Sequence, residues 1–588
     1  MKLSRILSES AIDRRAIAVA AGLALAPAGA ALAHRAAAGA APANLGPNVL
    51  VFDPSMSAAG IQSQLDAVFA MQESNQFGPQ RYELLFKPGS YAVAANVGFY
   101  TSVAGLGRSP TAVTVQGVTV DAGWFGGNAT QNFWRSVENL TVAPPGGFDR
   151  WAVAQAAPMR RVNVLGDLNL APTGYGWASG GYIADSKVSG TVQPYSQQQW
   201  FTRDSEVGGW LNAVWNMVFT GVVGAPAQGF PDPAYTTIAA SPVTREKPFL
   251  TVNDAGGYEV FVPALRTDSA GTTWSGADTP GTAIPLAQFE VVKPGATAAR
   301  INRALKKGRH LLFTPGIYHL DEPLDVTRPD TVVLGLGYAT LIPDNGVVAM
   351  KVADVDGVKI AGLLFDAGTT NSPVLLQVGK KGSTLRHATN PSSIQDVFFR
   401  IGGDIAGKAT TSLQVDSADV IIDHIWAWRA DHGNAGTVGW TVNTADQGLV
   451  VNGAGVTAYG LFVEHYQKYD VTWNGEGGRT YFFQNEMPYD PPSQAAWRTG
   501  ANGYAAYKVG AKVKSHEGWG LGSYCYFNVD PTIHADRGFE VPDTAGVVMH
   551  DLSTVSLGGV GVIDHVINTT GAAAQGADTI PSTVTTYP

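Results

Sequence analysis

Hydrophobic positions in this chain fall mostly in short runs separated by Gly, Asn and Asp. Two segments differ: IQSQLDAVFAMQ at 61–72 and ATAARINRALKKG at 296–308 space their apolar residues three and four apart, which predicts a helix at each. The short runs include SVENLTV, MRRVNVLGDL and WFTRDSEVGGW in the first half and SIQDVFFRIGG, ADVIIDHIWAW and RTYFFQNEMPY in the second. Rich in β-branched and aromatic residues and bounded by turn formers, they predict strands. Strands this short, recurring about every 20 to 40 residues, bury little alone but close a continuous core when stacked as rungs.

The pattern also repeats at long range. LLFKPGSY at 84–91 matches LLFTPGIY at 311–318; each follows a predicted helix and precedes a Gly-x-Gly turn, AGLG at 104–107 and LGLG at 334–337. Agreement in content and order implies two homologous domains. The expected fold is all-β: two tandem right-handed parallel β-helices packed at an angle with a cleft between them. The first spans 47–221 and the second 291–588, and each opening helix caps its first rung. Residues 222–290, rich in Pro and Gly, form the connection, in which KPFLTVNDAGGYEVFVPAL predicts a hairpin turning at Asn253–Gly257.

Composition narrows the function. Charged residues are 15% of the 588, Gly reaches 69, and the net charge of -9 comes without a long basic run. This argues against nucleic acid and membrane surfaces as partners. Residues 1–33, with basic positions ahead of AIAVAAGLALAPAGAALA and a small-x-small end, read as a signal peptide, followed by a linker at 34–46. The mature protein is expected outside the cell, as a soluble monomer. Cys525, the one cysteine, is expected buried. The 11 His form no HExxH, and no CxxC or D-x-D-x-D-G loop occurs, so no metal or cofactor is expected. His424 and His432, flanking IWAWRAD, read as rung-facing or substrate-facing residues. The VVLGLGYAT turn lacks the third Gly of a dinucleotide site and reads as a solenoid turn.

Paired carboxylates carry the clearest chemistry. Glu464 in LFVEHYQKY and Glu486 in YFFQNEMPYD are 22 residues apart, about one coil, so both can occupy one face on adjacent rungs. Two close carboxylates resist double ionisation, and the one kept protonated can act as a general acid. The competing reading pairs them with Lys468 or Arg479. Trp426, Trp428, Tyr466, Tyr469, Trp473, Tyr481 and Tyr489 crowd the same region, some as core and some as sugar platforms. Spacing leaves a glycoside hydrolase, a polysaccharide lyase and a non-catalytic glycan-binding solenoid open.

Over essentially the whole mature chain, the segments GPNVLVFDPS, GNATQNFWRSVENL, WAVAQAAPMRR, QQQWFTRDSE, GLFVEHYQKY and FFQNEMPYDPP resemble bacterial members of glycoside hydrolase family 55. The resemblance implies an inverting exo-β-1,3-glucanase that removes glucose from the non-reducing end of laminarin-type glucan. It implies Glu486 as general acid, Glu464 as the supporting carboxylate, and Gln155 and Ser179 as holders of the attacking water. Tyr175 and Tyr489 are the implied sugar contacts. Trp428, Trp473, Gln197 and His465 complete the expected substrate-binding set.

Overall fold

Short apolar runs that bury both faces pair best with neighbours in parallel, since each face then meets another layer. The computed structural model describes residues 44–588 and is all-β apart from two α-helices and a few single 3₁₀ turns. The expected signal peptide and residues 34–43 lie outside the described residues.

The first helix, α1 (Ala58–Gln72), starts at Ser57, whose side chain accepts from the Gly60 N–H, and buries Ile61, Leu65, Val68 and Gln72. The second, α2 (Ala298–Lys306), starts at Thr297 in the same way and buries Ile301, Ala304 and Leu305. It is shorter than its apolar spacing predicts, because Gly308 turns the chain at φ 77°. Each helix lies against the opening strands of a stack.

In the first stack a 15-stranded sheet has a parallel path from Val49–Phe52 through Arg135–Val142, Pro158–Val164, Gln199–Arg203 and Asn216–Thr220 to Tyr235–Ile238. In the second, successive strands from Leu324 to Cys525 alternate between a 12-stranded and an 8-stranded sheet. Its core, including Val326, Ile360, Leu413, Leu461 and Leu521, lies between the two sheets. Outward faces of the two stacks meet in an aromatic cluster that includes Trp134, Tyr182, Phe201, Trp426, Phe462 and Phe482. Burial on both faces explains why strands such as Ser393–Ile401 and Ile421–Arg429 are buried at every position.

A row of left-handed residues kinks successive strands of the second stack. Gly362, Asp396, His424, Gly460, Phe482, Gly520 and Asp551, on successive rungs of the 12-stranded sheet, all have φ between 50° and 70°. Each bend interrupts the in-out alternation of its strand, so Tyr481 and Phe482 both face the first stack. Between the stacks, Phe249–Val252, Tyr258–Pro263 and Gly281–Pro285 form an antiparallel sheet. The turn of this hairpin is held by Asn253 Oδ1, which accepts from the Ala255 and Gly257 N–H groups at 3.1 and 2.9 Å.

Buried charges fasten these parts. Arg160 of the first stack donates to both oxygens of Asp396 at 2.8 and 2.9 Å. Arg203 reaches Glu246 of the connection at 2.7 and 2.9 Å and Asp423 of the second stack at 2.8 Å. Cys525 is fully buried in the second core, and burial pushes its thiol up to about 12.

Candidate active site

Glu464 and Glu486 end the adjacent parallel strands Thr457–Glu464 and Gly478–Glu486. Phe462 is in register with Gln484, and the His465 N–H donates to the Glu486 carbonyl at 2.8 Å. One coil therefore separates the two carboxylates, on the same edge of the stack. Glu464 is 2% exposed, whereas the Glu486 side chain keeps 15% exposure. Glu464 is the floor of the site and Glu486 its open carboxylate.

Neither acid is neutralised by a strong cation. Lys468 pairs with Asp446 instead, and among the described residues no lysine or arginine forms an ion pair with Glu464 or Glu486. Glu464 Oε1 accepts from Gln155 Nε2 at 3.0 Å, and its Oε2 accepts from Trp426 Nε1 at 2.8 Å. Burial, then the charge of Glu486, pushes Glu464 well above the ordinary carboxylate range against these two hydrogen bonds. Burial also raises Glu486, opposed by His465 and by the Tyr489 hydroxyl, which donates to its Oε2. The pair holds one proton into the range where ordinary carboxylates are ionised.

The first stack completes the site. Ser179 Oγ lies 3.5 Å from Gln155 Oε1, and Gln155 Nε2 also lies 3.4 Å from Gln484 Oε1. His424 Nε2 donates to the Gln155 carbonyl at 2.9 Å while its Nδ1 meets Asp396 Oδ1 at 2.8 Å. The Gln155 backbone is thus tied to the buried Arg160–Asp396 pair. His424, expected to face a rung or the substrate, braces the first stack.

His465 is almost fully buried; its Nδ1 donates to the Met487 carbonyl at 3.1 Å, and its Nε2 stands 3.8 Å from both Glu486 and Asp431. Asp431 was not singled out from the sequence. Burial acts to raise it, but His432 and His465 hold it well below the ordinary range, so it stays ionised. Its one legible signal was its place between Trp428 and His432 in WRADH. Tyr489 packs edge-on to His465 at 4.5 Å.

Other expected contacts lie elsewhere. Trp473 is fully buried inside the second core, 4.9 Å from His516 ring to ring, so no sugar can reach it. Gln197 is also fully buried: its Nε2 donates to the Val153 and Leu170 carbonyls and its Oε1 accepts from the Gly180 N–H, which holds the turn carrying Ser179. It is a brace rather than a sugar contact. Trp428 is buried too, stacked on Trp426 at 4.8 Å beneath the site. Tyr175 is 49% exposed and packs on Tyr195 at 4.6 Å. Trp177, overlooked in the sequence, is 63% exposed on the same loop, two residues before Ser179.

Known proteins share this sequence and fold. An exo-beta-1,3-glucanase of Streptomyces sp. (strain SirexAA-E / ActE) is 62% identical over 548 residues, 93% of this chain and 90% of the relative. The chain belongs to glycoside hydrolase family 55. Within this family 55 chain, residues 289–486 match the LAM55 pectate lyase-like domain. The solved structure of sacteLam55A from Streptomyces sp. SirexAA-E superposes with a TM-score of 0.91 at 61% identity, covering 93% of this chain and 99% of that one. A glutamate-to-alanine variant of the same protein, in complex with glucose, matches equally well.

Proposed function

We propose that this family 55 chain is a secreted, monomeric, inverting exo-β-1,3-glucanase that acts without metal or cofactor and releases glucose from the non-reducing end of laminarin-type glucan. The observation that carries the reading is the Glu464–Glu486 pair, one buried and one open, paired with no Lys or Arg among the described residues and joined through Gln155 to Ser179 of the other stack. The two stacks are read as right-handed parallel β-helices, 47–221 and 291–588, with the connection at 222–290 and the substrate cleft between them. The glucanase relative supports the substrate class.

Glu486, the open member of the pair, protonates the glycosidic oxygen as the C–O bond breaks. A water held by Gln155 and Ser179 attacks the anomeric carbon from the opposite face, and Glu464 takes up the proton that this water loses. Tyr175 and Trp177 offer apolar ring faces for further sugar units. The test is proton NMR of the first turnovers on laminarin: α-glucose is expected before mutarotation. Initial β-glucose, or a ladder of oligosaccharides, would overturn the reading.

A further inference from the structure

The contact between the stacks is largely apolar, yet one line of side chains across it is polar. On the second stack Gln484, Gly522 and Ser553 stand in register on three adjacent strands. On the first, Gln199 and Asn216 are register partners. The two rows meet at Gly522, where a methyl group would stand 2.6 Å from Gln199 Nε2. The line begins at the site, where Gln155 Nε2 lies 3.4 Å from Gln484 Oε1. Its far end is Asp551, 2.9 Å from Thr236 Oγ1 and from Nε2 of the exposed Gln228.

Along this line, buried hydrogen-bonding capacity is unspent. Gln484 Nε2, Gln199 Nε2, Asn216 Nδ2 and Ser553 Oγ are all buried and have no partner in the protein. Gln199 Oε1 accepts from the Tyr524 hydroxyl, and Asn216 Oδ1 accepts from Thr236 Oγ1 at 3.0 Å. Turning the Asn216 amide over leaves its oxygen unpaired in place of its nitrogen. Buried polar atoms are almost always bonded to protein or to ordered water, and a buried water binds two to four such groups. Four unpaired atoms in one row, walled by Phe201, Val218 and Phe462 on one side and Trp215 and Val555 on the other, match that requirement.

We propose that this seam carries a file of ordered water from the exposed segment around Gln228 to the back of the acid pair, and so resupplies the attacking water. The proposal rests on the hydrolytic reading above. Each inverting cleavage consumes one water: its hydroxyl joins the anomeric carbon and its proton goes to Glu464. Gln155, Ser179 and Glu464 lie beneath Glu486 and are all nearly buried, so a sugar seated over them closes the front entrance. A rear supply lets the next water arrive while the cleft stays filled.

Two measurements test this. A crystal structure of the whole protein with glucose, at a resolution that shows ordered water, is expected to place water within hydrogen-bond distance of those four atoms. A dry seam with the amides re-paired to protein atoms would overturn the proposal. Kinetically, Gly522→Ala and Asn216→Leu are expected to lower kcat on laminarin several-fold with KM unchanged, while Asn216→Thr, which keeps a polar group, stays near the parent. Parental kcat in both blocking variants would sink the supply role. If Gly522→Ala fails to fold, Asn216→Leu, which replaces an amide with an unpaired nitrogen by an apolar group, decides alone. A parent protein that releases no glucose from laminarin defeats the hydrolytic reading itself, and the crystal structure still decides whether the seam is wet.

Discussion

Glu464 and Glu486 differ both in exposure and in hydrogen-bond partners, and their variants separate the two roles. Glu486→Gln keeps size and polarity but removes the transferable proton, so kcat on laminarin will fall by roughly 10²–10⁴ while binding, followed by calorimetry, survives. Glu464→Gln removes the carboxylate that shares the pair's proton; in the proposed working state Glu464 is the ionised member, so without it Glu486 will ionise more easily and the basic limb of the pH–rate profile will move to lower pH. An unmoved limb would show the acids to be uncoupled. The pair was legible because a 22-residue interval equals one coil. Trp473 and Gln197 were not, because an aromatic or amide in a short strand faces core or cleft according to a one-residue shift that the sequence does not display. Trp473→Ala will therefore act on the fold: a loss of about 3–5 kcal/mol in urea unfolding, with KM of the folded fraction unchanged.

The elements read most clearly were those with local signals. Both helices announced themselves by apolar spacing, the hairpin by its Asn-to-Gly turn, and the duplicated LLFxPGxY strands by repetition. The row of left-handed bends gave no such signal, since His424 and Phe482 occupy it as readily as Gly460. Each bend resets the face that following residues present, which hides the aromatic contact between the stacks from any simple alternation rule. The ion network that fastens the stacks was equally hidden, because its pairs across the stacks, Arg160–Asp396 and Arg203–Asp423, are 236 and 220 residues apart. Arg203 shows its weight: Arg203→Met takes the bidentate cation from buried Glu246, leaving it only Arg160 at 3.8 Å, and takes one of two cations from Asp423, and we expect a loss of about 3–5 kcal/mol by denaturant unfolding. Unaltered stability would mean that the network contributes only specificity.

At the scale of the whole molecule, the contact between the stacks makes stability depend on pH. Burial lifts Glu83, which accepts from the Gly337 N–H of the other stack at 2.7 Å, from 4.5 to about 7. The folded chain then binds a proton that the unfolded chain releases, so this group is neutral to stability below about pH 4.5 and costs stability as pH rises toward 7. The shift corresponds to about 3 kcal/mol. Glu83→Gln will accordingly raise Tm at pH 8 and leave it unchanged near pH 4, a difference that calorimetry at the two pH values reads directly. The last strand, Ser582–Tyr587, runs antiparallel to Val547–Ser556 and covers the final edge of an otherwise parallel ladder. A ladder without that cover presents a row of free N–H and C=O groups to any second molecule. Removing residues 581–588 is therefore expected to let two molecules pair edge to edge through the uncovered strand, seen as concentration-dependent light scattering; the short terminal strand is the stopper of the ladder.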